Sequence, residues 1–272
     1  MQTIEGGVNS TRQMPPSLSL IIPAYNEVTR IDDTIREAIA WLTHQQFATE
    51  LIVVDDGSDD ATGDRAERAL SGFDHGRLIR ITHAGKAVAV RTGMLAATGA
   101  QIAFSDADLA TPLPYLANLR ASLAQGCDIA IGSREGVGAR RFGEPLYRHL
   151  MGRVFNGIVR LLLVPDVHDT QCGFKLFRAE VARDLLGRSR LYRDDGQTVS
   201  GPRVTAFDVE LLTIARLSGY RICALPVVWR YGRGSKVRPV RDTWHNVRDV
   251  LDVWVSAKRG CYRESGVEKS ES

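Results

Sequence analysis

Two carboxylates one residue apart close an apolar run in the middle of the chain: Gln101-Ile102-Ala103-Phe104-Ser105-Asp106-Ala107-Asp108. Paired carboxylate oxygens suit Mg2+ or Mn2+, which bind a few protein oxygens and complete their shell with phosphate oxygens. The apolar part reads as a buried parallel strand, continuous rather than alternating. Open α/β sheets bind ligands outside the carboxyl ends of their strands. An Asp-x-Asp pair alone is a weak signal, so its company matters. Pro23-Ala24-Tyr25-Asn26-Glu27 ends an earlier apolar run; Tyr25 can lie against a base and Glu27 can accept from base or ribose donors. Asp55-Asp56-Gly57-Ser58 ends a second, where either carboxylate can take a base N–H or ribose hydroxyls. Gly132-Ser133-Arg134 ends another, and Gly85-Lys86 puts a cation at a helix start, suited to phosphate. A nucleoside diphosphate with a metal fits all five features.

The elements that must position these residues alternate. Strands are expected over residues 18–23, 51–54, 78–81, up to 105 and 129–131, with helices over 30–42, 61–70, 86–97 and 114–123. This rhythm predicts a mostly parallel sheet covered on both faces. After Ser133 it changes. A Gly- and Arg-rich loop is expected over 135–144 and a helix over 146–163. A loop containing one strand follows over 166–177, a helix over 179–186 and a polar, mobile stretch over 188–203. A helix over 207–217, a strand over 221–229, a loop over 232–239 and a helix over 242–258 complete the reading. The last helix carries Trp244, Val247, Val250, Leu251, Trp254 and Val255 at helical spacing. Residues 1–16 read as a disordered lead-in, 17–232 as the main domain, 233–262 as a loop and amphipathic helix, and 263–272 as a disordered tail.

A net charge of +3 is too small to argue for nucleic acid. Its distribution is more telling. Arg134, Arg140, Arg141, Arg148, Arg153 and Arg160 crowd one stretch, fitting anionic phosphates or an acidic membrane surface. The longest apolar stretch, residues 161–164, is far too short to cross a bilayer. Four cysteines without a CxxC pair argue against zinc; Cys127, Cys172 and Cys223 read as small apolar fillers in a reducing cytosol. Plain structural readings stand beside the chemical ones. Asp55 and Asp59 could cap the following helix. Lys175 reads equally well as a surface lysine, Asp208 and Glu210 share a helix with core-like neighbours, and His168 reads as structural.

Taken together and in this order, the motifs resemble the family 2 glycosyltransferases of GT-A fold, over residues 18–260. The likeness is strongest to dolichyl-phosphate glucosyltransferases and bacterial polyprenyl-phosphate relatives. Its most specific strings are Asp169-Thr170-Gln171-Cys172-Gly173-Phe174-Lys175, Phe207-Asp208-Val209-Glu210-Leu211-Leu212 and Gly234-Ser235-Lys236-Val237. The resemblance implies that Pro23, Tyr25, Glu27 and Asp55 or Asp56 hold the nucleoside. It gives Asp106 and Asp108, flanking Ala107, the metal and diphosphate. Arg134, Arg230 and Lys236 would surround the diphosphate and the transferred sugar or acceptor phosphate, and Arg148 would meet the acceptor phosphate. Asp208 would serve as base only for a hydroxyl acceptor. The implied reaction moves glucose from UDP-glucose to a polyprenyl phosphate with inversion, using Mg2+ or Mn2+, at the cytoplasmic face of a membrane. The membrane contact would be peripheral, with no nucleic-acid partner; a homo-oligomer is left open. Ala110 stands where the mannosyl branch often has glutamine, which disfavours GDP-mannose. A soluble hydroxyl acceptor and a non-catalytic nucleotide-sugar-binding subunit are the competing readings.

Overall fold

The computed structural model describes residues 17–192, 206–232 and 239–262, with side chains in the last helix described from residue 245. The first half runs β1 (Leu18–Ala24), α1 (Ile31–Thr43), β2 (Thr49–Asp55), α2 (Thr62–Leu70), β3 (Gly76–Arg80), α3 (Lys86–Ala96), β4 (Gln101–Ser105), α4 (Tyr115–Ala124) and β5 (Ile129–Ser133). The second runs β6 (Arg140–Phe142), α5 (Leu146–Leu162), β7 (Phe174–Arg178), α6 (Ala179–Arg188), α7 (Phe207–Leu217), β8 (Ile222–Pro226), β9 (Val228–Arg230) and α8 (Pro239–Lys258).

Seven strands form one sheet in the order β3-β2-β1-β4-β7-β5-β8. All pair in parallel except β7, which runs antiparallel between β4 and β5. Successive residues point to opposite faces, and each face has its own core. Leu20, Ile22, Leu51, Val53, Ala103 and Leu176 pack under α1, α2 and α4. Ile21, Ile52, Val54, Phe104, Ile131 and Phe177 pack under α3, α6 and α7, with α5 and α8 beyond. Strands buried on both sides need mostly apolar side chains, which is why β1, β2 and β4 read as apolar runs, and the buried Ser19 and Glu50 at the starts of β1 and β2 hydrogen-bond each other. α1 presents Ile31, Thr34, Ile35, Ala38 and Leu42 to the sheet at helical spacing.

Several expectations are corrected. Residues 135–144 are not all loop: Arg140–Phe142 forms β6. The expected strand over 221–229 divides at Pro226 into β8, on the main sheet, and β9, which pairs with β6 in a separate two-stranded sheet. Residues 188–192 are anchored. Arg188 ends α6 paired with Asp184, the Arg190 and Leu191 amides donate to the buried Glu210, and the Tyr192 hydroxyl donates to Asp249. The remainder of the expected mobile stretch lies outside the described residues, as do the lead-in and the tail. In α8 the buried face is Asn246, Asp249, Val250 and Val253, while Leu251 faces outward. Cys127 and Cys223 are not unpaired fillers. The β5–β8 register brings them to a Cα–Cα distance of 6.1 Å, and they form a disulfide. Cys172 is the buried free thiol expected, its pKa pushed up to about 11 by burial.

Candidate active site

The carboxyl ends of β1, β2 and β4 meet at one edge of the sheet, because parallel pairing puts Ala24 opposite Asp55 and sets β4 beside β1. The loops leaving them are tied together. The Asn26 amide donates to Ser58 Oγ at 2.9 Å, the Glu27 amide to Thr62 Oγ1 at 2.7 Å and the Asp59 amide to Asn26 Oδ1 at 2.9 Å. Glu27 also pairs with Arg30 at 2.8 Å. The Tyr25 ring stacks on His83 with centroids 3.9 Å apart and planes within 7°. One flat aromatic surface is thus already built beside the nucleoside candidates, and His83 is a member the sequence did not single out.

The two aspartates at the end of β2 have different surroundings. Asp55 Oδ1 accepts from the Ser58 amide and hydroxyl, at 3.1 and 2.5 Å. Neither Asp55 nor Asp59 caps α2; Asp60 accepts from the Thr62 amide instead. Asp56 is buried and accepts from the Ala84 amide at 2.8 Å, the Gly85 amide at 2.9 Å and His83 Nδ1 at 2.9 Å. Burial pushes its pKa up against these hydrogen bonds. Asp56 fixes the loop that delivers His83 and Lys86.

The Asp106–Asp108 turn is held from several sides. Thr34 Oγ1 on α1 donates to the Ala107 carbonyl at 2.6 Å, the Ala110 amide donates to Asp108 Oδ1 at 3.1 Å, and the Arg230 amide donates to the Ala110 carbonyl at 2.8 Å. Leu109 takes φ 45°, an uncommon conformation for a branched side chain that turns the backbone sharply after Asp108. Two glycines let the acids approach other backbone. A Cβ on Gly173 would lie 2.2 Å from Asp106 Oδ2, and one on Gly232 would lie 2.8 Å from Asp108 Oδ2. Gly173 belongs to the Asp169–Lys175 string, so part of that motif exists to seat Asp106.

Lys86 Nζ pairs with Asp106 Oδ1. Burial works to lower the lysine's pKa, but Asp106, Asp208 and Asp108 outweigh it and hold it above its ordinary value. Burial, and then the charge of Asp106, push the Asp108 carboxyl up. Two acids with too little positive charge between them fit a hard divalent cation that also takes diphosphate oxygens. Among the described residues no group of three or more His, Cys, Asp and Glu side chains could hold a metal, so most of its shell would come from ligand and water.

Lys175 is no surface residue. It is 1% exposed, donates to Asp208 Oδ1 at 2.7 Å and to the Cys172 carbonyl at 2.5 Å, and lies 5.3 Å from the centroid of the Phe104 ring. β7 carries it into the sheet opposite Phe104, two residues before Asp106. Asp208, in the first turn of α7, is therefore at the site and partnered, while Glu210 belongs to the buried network with Tyr262 on the far side.

Arg134 is tied to a buried carboxylate. Its Nε and Nη2 each donate to Asp169 at 2.8 Å, and Asp169 is fully buried. Burial alone would raise Asp169's pKa, but Arg134 holds it down at about 2. The guanidinium so held braces the 133–135 turn. Arg148 and Arg230 lie on the surface sheet side. Arg148 Nη1 donates to the Tyr231 hydroxyl and its guanidinium lies 5.1 Å from the Tyr231 ring; that of Arg230 lies 5.5 Å from the Phe142 ring. Tyr231 directly precedes the Gly232 that abuts Asp108, so Arg148 is one side chain removed from the acidic pair. Lys236 lies outside the described residues. Sequence reasoning missed Asp169 as a brace and Tyr231 as the partner of Arg148; for Tyr231 the available hint was its place next to Arg230.

α5 begins beside Arg148 and is amphipathic in an unusual sense. Phe155, Asn156 and Val159 are buried, yet Leu146, Leu150, Val154 and Leu161 are 86%, 64%, 58% and 86% exposed. Arg153 and Arg160 are exposed on the same helix. No helix among the described residues is long and apolar enough to cross a membrane.

The pattern of glycosyl transferase family 2 matches residues 19–186. The chain is 35% identical over 273 residues to a dolichyl-phosphate beta-glucosyltransferase of Drosophila melanogaster, covering 93% of this chain and 79% of that protein. The protein of the same name from Homo sapiens is 33% identical over 261 residues, covering 90% and 77%. Among solved structures, glucosyl-3-phosphoglycerate synthase from Mycobacterium tuberculosis, in complex with Mn2+, uridine diphosphate and glucosyl-3-phosphoglycerate, matches with a TM-score of 0.60. That match covers 93% of this chain and 82% of the other at 22% identity, and it is a likeness of fold.

Proposed function

The chain belongs to glycosyl transferase family 2, and from that premise we propose that it moves glucose from UDP-glucose to a polyprenyl phosphate at a membrane surface, inverting the anomeric centre. The glucosyl and lipid-phosphate parts draw support from the relatives' names. The observation that carries the acceptor is the unbroken path from Asp108 through Gly232 and Tyr231 to Arg148 at the start of α5, whose outer face is apolar.

Tyr25, Glu27 and the His83 stack would receive the nucleoside. Asp106 and Asp108 would hold the Mg2+ or Mn2+, which when bound withdraws negative charge from the departing diphosphate. Lys86 and Arg230 add positive charge on the same side. A phosphate acceptor is already ionised near neutral pH, so no side chain has to remove a proton. Arg148 needs only to hold that phosphate in line with the anomeric carbon. Asp208, tied to the buried Lys175, is better placed to orient the sugar side of the site than to act as a base. The test is direct: purified protein, UDP-glucose and Mn2+ should convert a short polyprenyl phosphate, but not the corresponding polyprenol, to a glucosylated lipid.

Two further outcomes are expected. UDP should raise the melting temperature more than GDP at equal concentration, since ligand affinity for the folded state sets the shift; the reverse order would revive the mannosyl reading. The α5 stripe should lie in the bilayer interface, its leucines among acyl chains and Arg153 and Arg160 at the headgroups. Leu150→Asp with Val154→Asp should reduce sedimentation with phosphatidylcholine–phosphatidylglycerol vesicles at least about fivefold. Melting should stay unchanged, because both side chains are exposed. Undiminished sedimentation would remove α5 as the contact.

A further inference from the structure

The site holds two lysines with different freedom. Lys175 is sealed in the sheet between two oxygen partners and cannot leave them without stranding a buried ammonium. Lys86 is 45% exposed on its side chain, and its partner Asp106 is 38% exposed. The root of Lys86 is fixed: Asp56 grips the Ala84 and Gly85 amides immediately before it, and Ala87 immediately after it is buried. Only the flexible four-carbon stem can move, on a pivot the fold holds still.

The ammonium sits on a carboxylate oxygen of the pair assigned above to the metal. With Asp208 matched by Lys175 and Asp106 by Lys86, Asp108 is left as the acid in excess. A divalent ion entering alone must displace Lys86 from Asp106 and leave that ammonium without an anionic partner. A diphosphate entering alone meets three carboxylates and only two lysines. Entering together, they let Lys86 exchange one anion for another, and the balance is restored.

We propose that Lys86 is a placeholder cation: it occupies Asp106 while the site is empty and transfers to the diphosphate when metal and nucleotide arrive, coupling the binding of the two. The proposal rests on the metal–diphosphate reading given above, and goes beyond it by making one residue the source of mutual dependence. Linkage then requires that metal strengthen nucleotide binding by the same factor that nucleotide strengthens metal binding.

The test is Mn2+ binding, followed by the electron paramagnetic resonance of free Mn2+, with and without UDP. Wild-type protein should bind Mn2+ weakly alone and at least about fivefold more tightly with UDP. Lys86→Met should bind Mn2+ alone more tightly than wild type and gain less from UDP than wild type does, keeping only the part of the coupling that comes from the diphosphate's own contact with the metal. Lys86→Gln should do the same, so that a folding defect in one variant does not decide the matter. Lys86→Arg, which keeps a mobile cation on the same root, should retain the wild-type coupling. Unchanged or weaker Mn2+ binding by both neutral variants without UDP would overturn the placeholder role while leaving the metal site standing. Failure of wild-type protein to bind Mn2+ even with UDP would overturn both.

Discussion

Asp108→Asn should lower glucosyl transfer by roughly a hundredfold or more, the scale on which removal of one transition-state electrostatic contact acts. The substitution preserves size and the oxygen that accepts from the Ala110 amide, so the turn after β4 keeps its shape. What it removes is charge. Asp108 is the acid whose proton affinity burial and Asp106 already raise, which marks it as the member most in need of an added cation. Its loss should flatten the dependence of rate on Mn2+ as well as lowering the rate. Steady-state transfer measured across a Mn2+ titration checks both, and a wild-type rate at ordinary Mg2+ concentration would remove the metal from this pair.

Arg148→Ala should weaken use of polyprenyl phosphate roughly ten- to a hundredfold, the worth of a charge-assisted contact of about 1.5–3 kcal/mol. UDP binding should be nearly unchanged, because Arg148 reaches the acidic pair only through Tyr231. Asp208→Asn is the informative companion. If the acceptor is a phosphate, turnover of the folded variant should fall only modestly, through lost positioning of the sugar, and not collapse, since no proton is abstracted. Its stability should nevertheless fall, because Asp208 is the carboxylate that neutralises the buried Lys175; breaking such a pair costs about 3–5 kcal/mol where both charges are fully buried, and less here where Asp208 is partly exposed. Thermal melting alongside single-temperature kinetics separates the two effects. Collapsed turnover in folded Asp208→Asn, with Arg148→Ala behaving as wild type, would point to a hydroxyl acceptor.

Much of this fold was legible in the chain because β1, β2 and β4 are buried on both faces and announce themselves as apolar runs. Their carboxyl ends, with Tyr25, Glu27, Asp106 and Asp108, followed from the general placement of ligands at the mouth of a parallel sheet. Local pattern also found α5, though only packing could say which face it buries, and the structure leaves most of its leucines outside.

Residue types and spacing, then, determined that this chain builds a parallel sheet with an acidic, phosphate-seeking edge. Tertiary structure decided which charges are available there. Arg134 is paired with Asp169, 35 residues away, and Lys175 with Asp208, 33 residues away. The three-residue strands β6 and β9, which carry Arg230 and lead to Tyr231, are too short to show any period of their own. A charged side chain in a sequence advertises chemistry and structure equally. Only its partner and its burial, set by strand order and by the antiparallel insertion of β7, settle which, because a charge sealed in a buried pair cannot move to a ligand as a half-exposed one can.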